Sequence, residues 1–214
     1  MTPADQSLKA AEICRMAPVV PVLVIDDLAH AAPLARALVA GGLPALEVTL
    51  RTPCALDAIR AMAQIPGGVV GAGTLLTPAD VKAAKAAGAQ FGVSPGATPR
   101  LIAACEDEGL PLLPGAVTAS EVMALLERGY TVQKFFPAEQ SGGAAFLKSL
   151  GSPIPQVSFC PTGGISLTNA ADYLALPTVL CVGGSWVAPK AAMLGGDWSA
   201  ITALAAQACA LRPS

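Results

Sequence analysis

The stretch LPLLPGAVTASEVMALLERGYTVQKFF, Leu110 to Phe136, decides the fold class. Leu110 to Val117 is a short apolar run of the kind that fills a buried strand. Ala119 to Arg128 carries its apolar residues at helical spacing, and Gly129 sits where that helix should end. Thr131 to Phe136 then returns to β-branched and aromatic residues. Apolar strands separated by a helix indicate parallel neighbours in a sheet whose two faces are both covered.

The same unit repeats outward in both directions. Further strands are expected at Val19 to Ile25, Ala45 to Leu50, Val69 to Thr74, Gln90 to Ser94, Val157 to Pro161 and Thr178 to Val182. Between them lie amphipathic helices at Leu28 to Val39, Pro53 to Gln64, Pro78 to Ala87, Pro99 to Glu108, Gly143 to Leu150 and Leu167 to Ala175. A closing helix falls near Trp198 to Leu211, and an additional one, roughly Gln6 to Arg15, precedes the first strand. Thr77-Pro78 and Thr98-Pro99 each pair an N-cap with proline at the first helical position, and Gly88 and Gly109 stand at helix ends. About eight strand-helix units close a barrel, so the expectation is an α/β fold, a (β/α)8 TIM barrel with an extra N-terminal helix. No linker interrupts the alternation, which predicts one domain over residues 1–214.

Composition narrows the function. Hydrophobic residues make up 53% of the 214 and charged residues 13%, with a net charge of −2. So apolar a chain, with a mean hydropathy of +0.58, is expected to bury surface between subunits. The apolar runs are broken before the roughly 20 residues of a membrane span, and Met1 to Gln6 lacks the basic and apolar regions of a secretion signal. A cytoplasmic protein with no membrane and no nucleic-acid partner is expected, its ligand a small molecule. Six cysteines without CxxC spacing (Cys14, Cys54, Cys105, Cys160, Cys181, Cys209) read as free thiols. The one histidine, His30, reads as a packing or helix-surface residue, and its isolation argues against zinc chemistry and Ser-His-Asp hydrolysis.

Barrel enzymes work at the C-terminal ends of the strands. Reading those ends in order places Glu47, Thr49 and Arg51 on and after the second strand, Thr74 on the third and Ser94-Pro95-Gly96 after the fourth. Lys134 lies on the sixth, Gly163-Gly164 after the seventh and Gly183-Gly184-Ser185 after the eighth. A lysine inside an apolar strand is costly to keep charged; withdrawn from water, such an amine becomes a nucleophile that forms Schiff bases with ketones. The alternative is a strand-end lysine reaching solvent along its own stem. Glu47 fits a proton-transfer role beside an amine, or a structural ion pair with Arg51 or Lys134, and its position alone does not choose. Arg51 and Thr74 offer a guanidinium fork and a hydroxyl to a small carboxylate. The two glycine pairs let backbone amides approach a phosphate closely, although tight turns alone also account for them.

Together the strings LEVTLRT (Leu46 to Thr52), GAGTLL (Gly71 to Leu76), SPG (Ser94 to Gly96), KFFPAE (Lys134 to Glu139), CPTGGIS (Cys160 to Ser166) and CVGGSW (Cys181 to Trp186) resemble the KDPG/KHG family of class I pyruvate aldolases. The resemblance runs from about Val19 to Trp186. It implies that Lys134 is the Schiff-base lysine, Glu47 the general acid/base, and Arg51 and Thr74 the pyruvate-binding pair. It also implies that Pro95 and Phe136 line the pyruvate pocket and that Gly163, Gly164, Gly184 and Ser185 hold a phosphate. The implied reaction is cleavage of 2-dehydro-3-deoxy-6-phospho-D-gluconate to pyruvate and D-glyceraldehyde 3-phosphate by a homotrimer without metal or other cofactor. Cleavage of 4-hydroxy-2-oxoglutarate or of the galactonate-derived epimer is the sister reading; a non-catalytic phosphometabolite-binding barrel and a metal-dependent aldolase are more distant ones. Gln133, where relatives often carry an aromatic, should point away from Lys134 by strand alternation.

Overall fold

The computed structural model describes residues 1–211. Its elements follow in order as α1 (Pro3–Cys14), β1 (Val19–Leu23), α2 (Ala31–Ala40), β2 (Ala45–Thr49), α3 (Ala55–Met62), β3 (Val69–Gly73) and α4 (Pro78–Ala86). Then come β4 (Phe91–Val93), α5 (Pro99–Glu108), β5 (Leu112–Leu113), β6 (Gly115–Ala116), α6 (Ala119–Glu127), β7 (Val132–Phe135) and α7 (Gly143–Gly151). The chain closes with β8 (Ser158–Pro161), α8 (Ala170–Leu174), β9 (Val182–Gly184), α9 (Lys190–Leu194) and α10 (Trp198–Cys209). The strands pair in parallel in the order β5-β4-β3-β2-β1-β9 and β6-β7-β8. Parallel bridges from Phe159 of β8 to Val179 and from Thr162, just after β8, to Gly183 of β9 link these segments, so the circuit is a barrel.

The expected strand Leu110 to Val117 is split into β5 and β6 at Pro114, which has no N–H to give the ladder. Its carbonyl still accepts the Lys134 amide at 2.8 Å, so the two halves form one path. The expected strand Thr178 to Val182 is displaced toward the C-terminus: Val179 makes an isolated bridge, and the strand itself, β9, is Val182–Gly184. Gly183 and Gly184 pair with Val20 and Pro21, and a Cβ on Gly183 would lie 2.3 Å from Thr162 Oγ1. The missing side chain, read from sequence as a loop signal, is what lets β9 close against β8. The expected helix Leu167 to Ala175 shortens to α8, after turns shaped by Asn169, whose amide donates to Gly164 O at 3.1 Å. Leu28 to His30 form a single 3-10 turn ahead of α2, and α9 was not expected.

Helix α1 begins at Pro3 rather than Gln6, because Thr2 and Asp5 cap each other reciprocally. It plugs the end of the barrel where strands begin. Ser7 Oγ accepts the Thr131 and Val132 amides at 2.8 and 2.9 Å, and Gln6 Oε1 accepts the Leu112 amide and the Tyr130 hydroxyl, each at 3.1 Å. Ala10, Ala11, Ile13 and Cys14 of α1 pack with Val20, Ala45, Phe91, Leu113, Val132 and Cys160 to fill the interior. The alternate strand residues, such as Val19, Leu46, Val70, Leu112 and Phe135, pack under the helices. His30 lies 5.7 Å from the Trp198 ring, the packing role expected of it, and the six cysteines are free thiols.

Candidate active site

Period-two alternation puts Ala45, Glu47 and Thr49 of β2 and Val132 and Lys134 of β7 on the inside of the barrel. From these two strands the Lys134 Nζ and Glu47 Oε1 come within 3.5 Å, at 5% and 3% residue exposure. The room for them comes from β3. Gly71 and Gly73 face inward there, and a Cβ on Gly73 would lie 2.2 Å from Glu47 Oε1. Lys134 therefore does not run out to solvent along its stem. Its ammonium stands 5.1 Å over the Phe136 ring, and its strand neighbours are Gly115 on β6 and Cys160 on β8.

Burial pushes the Glu47 carboxyl above the usual carboxylate range more than the charge of Lys134, and a smaller effect of Arg51, pulls it back. Desolvation thus outweighs the attraction of the lysine at this position. A buried acid raised above its ordinary range and in reach of an amine is suited to exchanging protons.

The remaining expected residues lie at or just after the C-terminal ends of their strands. Arg51 follows β2 and is exposed at the mouth; its Nε donates to Thr49 Oγ1 at 3.1 Å, and the Thr49 hydroxyl donates to Leu23 O at 2.9 Å. Thr49, present at the rim in sequence but given no role, thus fixes the arginine's direction. Thr74 has φ 62°, and among the described residues no other non-glycine residue has a positive φ. A β-branched residue is strained in that conformation, and such strain persists where surrounding bonds impose it. Here Leu50 N–H donates to Gly73 O at 2.9 Å and Leu75 N–H to Val93 O at 3.1 Å, on either side of Thr74. Pro95 presses its carbonyl against Gly115, where a Cβ would meet it at 2.3 Å, beside the lysine's strand.

On the other side, Gly163 approaches the Phe136 ring, 3.3 Å from a would-be Cβ, and Gly164 meets the Glu139 side chain at 2.6 Å. Ala138 N–H and Glu139 N–H donate to Thr162 O and Gly163 O, tying the segment after Lys134 to this loop. Gly184 lies at the end of β9, not in the loop as expected, with the Trp186 ring where its Cβ would be. The amides of Gly163, Gly164, Ser185 and Trp186 donate to nothing else among the described residues. The helices that follow these loops, α8 and α9, have five residues each, so the donors at this rim are individual amides and the Ser185 hydroxyl rather than a long helix dipole. Gln133 turns outward as alternation requires, its Nε2 donating to Val122 O and Tyr130 O at 3.1 and 2.9 Å.

Residues 10–204 match the family model for KDPG and KHG aldolase. The chain belongs to the KDPG/KHG aldolase family. It is 52% identical over 200 residues to the KHG/KDPG aldolase of Escherichia coli K12, covering 93% of this chain and 94% of that protein. Among solved structures it resembles the 2-keto-3-deoxy-6-phosphogluconate aldolase of Zymomonas mobilis ZM4 with 3-phosphoglycerate, at TM-score 0.90, 52% identity and coverage of 95% and 96% of the two chains. It resembles equally, at TM-score 0.90, the Legionella pneumophila KDPG aldolase with pyruvate captured as a covalent carbinolamine, at 46% identity and coverage of 93% and 97%. The (β/α) barrel is thus shared along nearly the whole chain with aldolases of this family. Among the described residues no group of three or more His, Cys, Asp or Glu side chains is arranged to hold a metal ion, and no helix is long and apolar enough to cross a membrane.

Proposed function

We propose that this member of the family reversibly cleaves 2-dehydro-3-deoxy-6-phospho-D-gluconate to pyruvate and D-glyceraldehyde 3-phosphate through a Schiff base on Lys134. The observation that carries the reading is the buried Lys134–Glu47 pair inside the barrel, 3.5 Å apart, with the acid raised by burial. The Lys134 amine adds to the C2 ketone, and Glu47 supplies the proton that lets the carbinolamine lose water. The iminium draws in the electrons of the C3–C4 bond as Glu47 takes the proton of the C4 hydroxyl, which releases the aldehyde and leaves an enamine. Protonation at C3 and hydrolysis return pyruvate and the free lysine. Arg51 and Thr74 hold the substrate carboxylate, and Pro95 and Phe136 wall the three-carbon pocket. Gly163, Gly164, Gly184 and Ser185 hold the phosphate; the unpaired amides of this rim support that role.

The E. coli relative is named for both activities, so cleavage of 4-hydroxy-2-oxoglutarate by the same lysine and acid belongs to the proposal. The enzyme works as a cytoplasmic homotrimer; exposed Leu8, Met123, Phe146, Leu167 and Leu194 are apolar surface that association would cover. The test is borohydride reduction in the presence of pyruvate, followed by mass analysis, alongside pyruvate release from phosphorylated and unphosphorylated 2-keto-4-hydroxy acids with and without chelator. Modification of the Lys134 peptide and chelator-insensitive turnover are expected; full activity with Lys134 unmodified overturns the mechanism.

A further inference from the structure

The cluster that the mechanism leaves unused is Glu139 with Tyr173. Glu139 lies five residues beyond the lysine, in a segment whose amides are already tied to the Thr162–Gly163 carbonyls. Its β and γ carbons occupy the space a Gly164 side chain would fill. An exposed carboxylate is thereby carried on a stem packed against a loop whose free amides attract anions, which is an unfavourable neighbour for a phosphate. Tyr173 resolves the conflict. It stands on α8, directly after the same loop, is 1% exposed, and donates its hydroxyl to Glu139 Oε1. Gly143 leaves a slot for this contact, its would-be Cβ lying 3.6 Å from both Glu139 Oε1 and the Tyr173 hydroxyl.

We infer that the Tyr173 hydroxyl is a positioning group that holds the Glu139 carboxylate back from the phosphate loop, and so sets the enzyme's preference for substrates with a phosphorylated end. Burial, and then the Glu139 carboxylate itself, push the Tyr173 phenol above its ordinary value, so the proton stays on the tyrosine and the tyrosine remains the donor. The inference rests on the proposed aldolase reading and adds to it a residue pair acting on affinity for the distal anion rather than on bond cleavage.

The experiment compares 2-keto-3-deoxygluconate 6-phosphate with 2-keto-3-deoxygluconate, which carries a neutral hydroxyl in place of the phosphate, and measures inorganic phosphate as a competitive inhibitor. Tyr173→Phe frees the carboxylate. KM for the phosphorylated substrate should rise about three- to tenfold, the scale of one exposed charge at close range, and phosphate inhibition should weaken in parallel. Its kcat and the kcat/KM of the neutral substrate should stay at wild-type values. Glu139→Gln should bind the phosphorylated substrate at least as tightly as wild type. In the Tyr173→Phe/Glu139→Gln double variant the loss should be reversed, because no charge is left to release. Equal losses on both substrates, or a double variant no better than Tyr173→Phe, would show that the pair only packs α8 and would overturn the inference. Failure of the wild type to trap pyruvate on Lys134 would instead sink the underlying aldolase reading, so the two failures are distinguishable.

Discussion

The two ends of this barrel treat polar groups in opposite ways. At the end where strands begin, Ser7 and Gln6 of α1 are committed to the amides of Thr131, Val132 and Leu112, and the apolar face of α1 seals the interior. At the end where strands finish, Lys134 and Glu47 are buried at a long 3.5 Å, Thr74 is held in a strained conformation, and several loop amides have no internal partner. The first end commits its side-chain acceptors to backbone amides, although Gln6 Nε2 is buried there without a partner, while the other leaves donors and charges available and gives some stability up.

The largest effect should come from the most costly residue at the open end. Lys134→Met should lose turnover by about 10³-fold or more and lose borohydride trapping altogether. Its melting temperature should hold or rise, because a buried ammonium is replaced by an apolar chain of similar shape. A collapse of the fold on this substitution would erase the contrast between the two ends.

Glu47→Gln should lower turnover by about 10²- to 10⁴-fold and remove one limb of the pH profile of kcat/KM, a limb lying above the ordinary carboxylate range. Stability gives a signed check. Because the folded protein raises this acid, its contribution to stability is complete below the unfolded-state value and is lost as pH rises through the folded-state value. The melting temperature of the wild type relative to Glu47→Gln should therefore fall as pH rises above the ordinary carboxylate range. The opposite trend would make Glu47 a structural ion-pair partner.

At the plugged end the expected effects reverse. Ser7→Ala leaves two strand-start amides without their acceptor and should cost about 1–3 kcal/mol in denaturant unfolding, with KM and kcat unchanged for the folded enzyme. Ser185→Ala should do the converse and least: about a three- to tenfold rise in KM for the phosphorylated substrate, with unfolding and pyruvate trapping unaffected. Gly164→Ala is a poorer probe of the same loop, because a Cβ there meets Glu139 at 2.6 Å and the backbone has φ 75°. If Ser185→Ala were to damage stability as Ser7→Ala does, the glycine-rich rim would be only a set of turns.

Alternation of short apolar strands with helices carried the barrel, because a strand covered on both faces must be apolar throughout and the connecting helix must be amphipathic. Proline and threonine caps were equally readable at Thr77 and Thr98, whose hydroxyls accept the Asp80 and Leu101 amides at 3.2 Å. The same letters stand at Thr2-Pro3-Ala4-Asp5 as at Thr77-Pro78-Ala79-Asp80, and reading them alike would have started α1 in the right place. Lys134 and Glu47 stood out because a charge in an apolar strand is expensive wherever the strand goes.

Element types, the inward-facing charges and, through motif strings, the family follow from the order of residues along the chain. That burial outweighs Lys134 at Glu47 comes from the packed barrel, since the balance depends on how much water is excluded and how close the lysine comes. The tertiary structure alone placed Gly183 and Gly184 in a strand, because their role is to let Thr162 and Trp186 come near, and the approach of distant chain segments leaves no mark in local composition. Tyr173 and Glu139 were silent for the same reason: a hydrogen bond between residues 34 apart in the chain is fixed by the fold's closure, not by any spacing along it.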